Sequence, residues 1–245
     1  MQATFGGVFL KTIRYIFPRR CVICDRPLLA GEDGVCRYCE DARPVPIGGI
    51  RCLKCSKPIR DERTEYCRDC ASGLHCYERG VALYEYGAVR ESILRFKNAG
   101  RPGYGEWFAG EILRLNGDEL RSFGAEALVP IPLSPARERK RGYNQAAILA
   151  GTLSKGLSMP VREDLLRRLN TGREQKSLSA GGRRNNSINS FISKQNDVKL
   201  KSVILVDDVY TTGSTMDAAS AALLEGGAEH VYFVTLAIGN PDGLS

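Results

Sequence analysis

No apolar run in this chain of 245 residues reaches the roughly 18 residues that a membrane-spanning helix needs, which excludes a helical membrane span. The most apolar N-terminal stretch, Ala3 to Phe17, is interrupted by Lys11 and Arg14 and lacks a small-residue cleavage site, so no signal peptide is expected. Within it Phe5, Val8, Phe9, Thr12, Ile13, Ile16 and Phe17 fall near helical spacing, and Pro18 stops the run. An N-terminal amphipathic helix over residues 1–18 follows, its apolar face packed on a core or, alternatively, on a partner or membrane surface. A hydrophobic content of 43% and a charged content of 26% exclude neither class of ordinary globular protein, enzyme or binding module.

Also missing is the scattered cysteine usage of a secreted disulfide scaffold. The chain has nine cysteines, and eight of them form C-x-x-C pairs: Cys21 and Cys24, Cys36 and Cys39, Cys52 and Cys55, Cys67 and Cys70. Each cysteine of the first two pairs returns 31 residues later, as do Pro27 at Pro58, the basic Arg26 at Lys57, and Arg37 at Arg68. Residues 19–76 are therefore read as a duplicated unit. Each copy is too short to bury a core. Tetrahedral thiolate coordination, contributing on the order of 10 kcal/mol per ion, would have to fold it. Four soft ligands per site leave no open position for a substrate, so two structural zinc ions are expected, in a reducing cytoplasm. Spacing alone leaves sequential and interleaved pairing of the knuckles both open. The module resembles a double zinc ribbon, and His75 and Cys76, just beyond it, are assigned to the linker or a strand edge.

A formal charge of +7 overstates the pull on polyanions. Residues 1–76 hold 13 basic and 9 acidic residues, and eight thiolates exceed the charge of two zinc ions by four, so the metal-loaded third is near neutral. Nucleic-acid binding must then rest on local patches.

The remainder, residues 77–245, reads as an α/β domain organised around VILVDDVYTTGST, Val203 to Thr215. Four apolar β-favouring residues predict a buried parallel strand that delivers Asp207 and Asp208 to its carboxyl end, where open α/β sheets place their chemistry. Val209 and Tyr210 follow, then Thr211, Thr212, Gly213, Ser214 and Thr215 ahead of a helical run, so backbone N–H groups and a helix N-terminus converge on a phosphate-sized point. Carboxylates accept hydrogen bonds from vicinal hydroxyls and the loop takes a phosphate; together they match a ribose 5-phosphate. This stretch resembles the 5-phosphoribosyl 1-pyrophosphate (PRPP) signature of type I phosphoribosyltransferases, which implies a Rossmann-like, mainly parallel sheet with flanking helices.

Arg79 to Tyr86 predicts a strand, with Gly87 turning into a helix that contains Val89, Ile93, Leu94 and Phe96 and ends near Lys97 and Arg101. A second helix is expected from Gly105 to about Arg121. Ala127 to Pro132 is a proline-interrupted strand followed by Arg137, Arg139, Lys140 and Arg141, whose charges suit a polyphosphate, and by Gly142, Tyr143, Asn144 and Gln145 before the helix Ala146 to Lys155. The block VPIPLSPARERKRGYNQ resembles that of the ComF, or competence-type, phosphoribosyltransferase family, whose members also begin with a cysteine-rich zinc module. Residues 171–190 read as a long polar loop of the kind that serves as a lid. The resemblance implies a catalytic loop over PRPP, with Arg173, Gln175, Lys176, Arg184 and Asn186 as contacts, Lys176 and Arg184 catalytic.

The resemblance also implies magnesium-assisted pyrophosphate release, with Asp207 and Asp208 ordering the ribose hydroxyls, Arg137 to Arg141 with Tyr143 and Gln145 on pyrophosphate, and Val209 to Thr215 around the 5-phosphate. It places the protein in competence and DNA uptake, with the competence machinery and incoming single-stranded DNA as partners. There is no recognisable nucleobase hood, so the acceptor stays unassigned. A reading from another class is a single-stranded-DNA-binding accessory protein that keeps the PRPP pocket as a sensor. Basic knuckle residues Arg51, Lys54, Lys57 and Arg60, with Tyr38 and Tyr66, are compatible with it.

Overall fold

The computed structural model describes residues 18–73, 75–169, 191–193 and 199–239. The helix expected over 1–18, apart from Pro18, and the lid contacts Arg173, Gln175, Lys176, Arg184 and Asn186 lie outside them. Two compact units emerge, residues 1–44 and 45–245, so the chain parts inside the duplicated module.

The smaller unit contains the first knuckle. Asp25 N–H donates to the Cys21 carbonyl (2.9 Å) and Cys21 N–H to the Arg26 carbonyl (2.8 Å), with Asp25 in the left-handed region at φ 61°. The second knuckle repeats this turn in the larger unit. Ser56 N–H donates to Cys52 O (2.9 Å), Cys52 N–H to Lys57 O (2.8 Å), and Ser56 has φ 65°. Antiparallel bridges close both, Arg20 with Pro27 and Arg51 with Pro58. The two copies diverge after their second pair begins: residues Arg37–Ala42 form a 3-10 turn, and Arg68–Ala71 form helix α1.

The larger unit then builds strand β1 (Gly80–Glu85), helices α2 (Tyr86–Asn98) and α3 (Pro102–Ser122), and β2 (Ala127–Pro130). Helices α4 (Pro135–Arg141) and α5 (Gln145–Leu157) follow. The short strands β3 (Arg167–Arg168) and β4 (Phe191–Ile192) come next, then β5 (Ser202–Tyr210), α6 (Ser214–Glu225) and β6 (His230–Ile238). The main sheet is wholly parallel in the order β1-β6-β5-β2. Its strands are apolar on both faces, Val203 to Val206 being at most 1% exposed, because helices cover a parallel sheet on both sides.

Three local expectations change. Helix α2 begins at Tyr86, directly after β1, so Gly87 lies in its first turn and does not form a connecting turn. Helix α3 starts before the expected Gly105, at Pro102, and runs 21 residues to Ser122. The cationic segment after β2 is helical, capped at its start by Ser134 Oγ and at its end by Gly142 at φ 79°. The one proline of β2, Pro130, is tolerated at the sheet's edge. Leu128 N–H points outward to Pro160 O (2.9 Å) and Ile131 N–H inward to Val206 O (2.9 Å), so alternation puts the missing N–H of Pro130 on the outer side.

Candidate phosphoribosyl-binding site

The site forms where one strand outruns its neighbour. Strand β5 pairs with β6 along its length to Tyr210, but β2 stops at Pro130, opposite Val206. From Asp207 onward β5 has β6 on one side and the opening left by β2 on the other. The acidic pair thus lies inside β5 and not beyond its end, and a sheet that splits at the carboxyl side of its strands is where ligands enter α/β folds.

Asp207 Oδ1 accepts the N–H of Asp208 at 2.8 Å, and Asp208 Oδ1 pairs with Lys97 Nζ at 2.8 Å. Both members of this ion pair are largely buried, so it is weakly screened. Burial and the neighbouring charge of Asp208 push the Asp207 carboxyl up to about 7, against the opposing effects of the Asp208 N–H, Lys97 and Arg168. Arg168 is the second cation here. Burial and the nearby Arg137 lower its basicity while Asp207 opposes them, and its guanidinium lies 5.1 Å over the Phe191 ring. Arg168, on β3, was missed in the sequence, where Met159 to Asn170 has no clear period; Lys97 was visible only as one of two basic residues at a helix end.

Residues of the RGYNQ block also hold the neighbouring elements in place. The Tyr143 hydroxyl donates to Phe96 O and accepts from Arg101 N–H (3.1 Å), fastening the C-terminal end of α2, which carries Lys97. Asn144 caps α5 through Oδ1 to Ala146 N–H (3.1 Å) and donates from Nδ2 to Ile131 O (3.0 Å). Gln145, 1% exposed, accepts from Arg141 at 2.7 Å and so sets that cation's direction. Arg137, Arg139 and Lys140 are exposed on α4. Helical spacing puts Lys140 and Arg141, three and four residues on, on the same face as Arg137 and turns Arg139 to the other side.

Beyond β5, Gly213 takes φ 82° and enters α6 with no side-chain cap. Thr212 Oγ1 donates to Ser214 Oγ (3.1 Å); Thr211, Ser214 and Thr215 are half-buried and Thr212 exposed. A hydroxyl loop at the uncapped start of a 12-residue helix suits an anion. Val209 contributes backbone to β6, and Tyr210 is 3% exposed with its hydroxyl on Tyr77 (2.7 Å), so its side chain forms the floor beneath the loop.

The metal sites are settled as sets. Cys21, Cys24, Cys36 and Cys39 form one cluster, and Cys52, Cys55, Cys67 and Cys70 the other, each with its sulfurs within 4.8 Å of one another. The pairing is sequential, not interleaved. All nine cysteines are unbridged. The separations Cys24 to Cys36, 3.6 Å, and Cys55 to Cys67, 3.7 Å, match the edge of about 3.8 Å that a tetrahedron with zinc–sulfur bonds near 2.3 Å requires. Both sets therefore fit structural zinc. His75 and Cys76 belong to neither.

A four-cysteine module in two copies and a parallel sheet with an acidic pair and hydroxyl loop define a zinc-ribbon protein with a phosphoribosyltransferase domain. Family models agree: a double zinc ribbon domain matches residues 12–71 and a phosphoribosyl transferase domain residues 143–244. The chain is 30% identical to Competence protein F of Haemophilus influenzae, over 90% of this chain and 97% of that protein. It is 30% identical to Competence protein ComFC of Bacillus subtilis, over 84% and 89% of the two chains. It is 27% identical to the DNA utilization protein YhgH of Escherichia coli K12, over 87% and 94%. The chain belongs to the ComF, or competence-type, phosphoribosyltransferase family.

Proposed function

We propose that this protein binds PRPP and transfers its 5-phosphoribosyl group, in the handling of incoming DNA on the cytoplasmic side. The observation that carries the reading is the open edge of β5, where Asp207 and Asp208 stand one loop away from the uncapped N-terminus of α6. Competence and DNA-utilization names among the relatives support the cellular setting.

Cleavage of the bond from ribose C1 to pyrophosphate leaves positive charge on the sugar and negative charge on the leaving group. Asp207 and Asp208 accept the ribose hydroxyls and favour the cationic sugar. Lys97, paired with Asp208 at 2.8 Å, offsets part of the negative charge of the acidic pair. Arg137, Arg139, Lys140 and Arg141, joined by Arg168 beside the acidic pair, would hold pyrophosphate, with Lys176 and Arg184 assigned to the same task by the family resemblance. The oxygen donors around the acidic pair suit Mg²⁺, which when bound neutralises pyrophosphate charge. Thr211 to Thr215 take the 5-phosphate.

Calorimetry with PRPP and Mg²⁺ tests binding, and pyrophosphate release in the presence of nucleobases, ammonia donors or single-stranded DNA tests transfer and identifies the acceptor. The double substitution Asp207→Asn, Asp208→Asn is expected to remove most turnover with the fold intact; unchanged PRPP affinity and turnover would overturn the assignment. A DNA-binding accessory role is favoured by one surface feature: exposed Tyr38 lies under both Arg26 (5.5 Å) and Arg37 (5.7 Å), an arrangement that stacks bases beside phosphates. Salt-dependent single-strand binding lost on Tyr38→Ala, with no pyrophosphate release for any acceptor, would select that reading.

A further inference from the structure

Beneath the phosphate loop lies a residue from the linker that follows the second cysteine cluster. The His75 side chain is 5% exposed, and its Nδ1 lies 2.8 Å from Asp217 Oδ2 in the first turn of α6. The other oxygen, Oδ1, accepts Cys76 N–H at 3.2 Å, so linker and helix are joined by both carboxylate oxygens. A carboxylate in the first turn of a phosphate-binding helix would compete with the ligand for the helix's positive end. Here both oxygens are occupied from the linker side.

The ring also meets the loop. A Cβ on Gly213 would lie 2.9 Å from His75 Cε1 and 2.5 Å from the Tyr210 hydroxyl, so these two side chains form the loop's underside and admit only glycine there. His75 Nε2 is sealed from solvent and has no hydrogen-bond partner among the described residues. A group so enclosed touches the loop and not a ligand lying in it.

The same ring stacks on Tyr77 at 5.0 Å, and Tyr77 bonds the Tyr210 hydroxyl at 2.7 Å. Tyr77 and Tyr210 share a core cluster with Cys52, Cys55 and Cys70. Lys54, between two of those cysteines, donates to His75 O at 3.0 Å.

We propose that His75 is a positioning residue for the phosphate loop, tying it through Asp217 and the Tyr77–Tyr210 pair to the second cysteine cluster, so that metal there and phosphate at the loop bind cooperatively. The proposal rests on the reading of Thr211 to Thr215 as the phosphate site. Linkage makes the effect reciprocal: whatever metal adds to phosphate affinity, phosphate adds to metal retention.

The test uses the full, zinc-loaded chain and the variants His75→Ala, Asp217→Asn and His75→Asn, the last placing an amide N–H near the position of Nδ1. Three quantities are measured: PRPP affinity with Mg²⁺ by calorimetry, the rate at which a chelator extracts each zinc equivalent with and without PRPP, and hydrogen exchange at residues 211–216. In the parent protein PRPP is expected to slow extraction of one zinc equivalent and leave the other unchanged. In His75→Ala and Asp217→Asn that protection is lost, PRPP binds about 5- to 10-fold more weakly, and the loop exchanges faster, with two zinc ions retained. His75→Asn restores most of each. Loop exchange and affinity unchanged in His75→Ala would overturn the tie. If the parent chain fails to bind PRPP, the phosphate-site reading fails instead, and exchange in the three variants still decides whether His75 holds the loop.

Discussion

Residues 21–27 and 52–58 share one hydrogen-bond pattern, but Cys24 and Cys39 of the first cluster stay half-buried. Cys52, Cys55 and Cys70 of the second lie in a core with Tyr77, Met216 and Phe233. Duplication copied the knuckle; its neighbours decided what the copy became. At the left-handed position the first repeat has Asp25, tied to Arg20 at 3.6 Å, and the second has buried Ser56, whose hydroxyl donates to Gly80 O at 2.9 Å. Gly80 N–H in turn donates to Lys54 O at 2.8 Å, so the second knuckle is stitched to the start of β1. Burial also alters the thiols. A hydrogen bond from Cys55 lowers Cys52 to about 4, while Cys55 is pushed far above the usual range by the Cys52 thiolate and by burial. Metal binding by these thiols releases protons and carries folding free energy.

The largest expected effect breaks the comparison outright. Cys52→Ser with Cys55→Ser should unfold the larger unit, because a structural zinc contributes on the order of 10 kcal/mol, comparable with a whole domain's stability. Cys21→Ser with Cys24→Ser should leave the main unfolding transition in place. Circular dichroism melts with zinc counted per chain separate the two outcomes; equal losses from both pairs would show that the clusters are equivalent. Next is Gly80→Ala. Its new methyl would overlap the Phe233 ring, and overpacking of about 1–3 kcal/mol should lower Tm by several degrees. Gly49 gives the contrast: at φ 67° with open space around it, Gly49→Ala tests backbone strain alone.

The acidic pair gives an intermediate effect with a defined sign. Since Asp207 is raised to about 7 in the fold, its favourable contribution is fully present below the ordinary carboxylate value near 4 and is lost as pH rises to about 7. Asp207→Asn should therefore raise Tm at pH 8 relative to the parent, by about 2–4 °C per kcal/mol relieved, and by less at pH 5. A difference that does not change between those pH values would remove burial of this charge as the cause. The smallest effect sharpens the comparison: Ser56→Ala and Asp25→Ala share the left-handed penalty, so Ser56→Ala should cost more by about 1 kcal/mol, the worth of one buried hydrogen bond against a surface ion pair. Chemical denaturation of both variants measures it.

Much of the candidate site was legible because its parts are contiguous. An apolar strand, two carboxylates, five loop residues and a helix need only their order to match a phosphoribosyl-binding signature, and Cys-x-x-Cys spacing names a soft metal on its own. The lid candidates, by contrast, fall outside the described residues. Tyr143 and Gln145 were visible as part of a motif, but their work, anchoring the end of α2 and orienting Arg141, depends on Phe96 and Arg101 arriving beside them. Arg168 carried no signal at all, since its neighbour Asp207 is 39 residues away in the chain.

The sequence by itself determined the eight metal ligands, the acidic pair, the hydroxyl loop and the parallel α/β class, because each follows from residue type and short-range spacing. Only the tertiary structure decided that the knuckles pair sequentially, that the second copy belongs to the larger unit, that Lys97 faces Asp208, and that His75 grips Asp217. Those contacts join residues far apart in the chain, and the packing of the parallel sheet with its helices and knuckle, not local preference, brings them together.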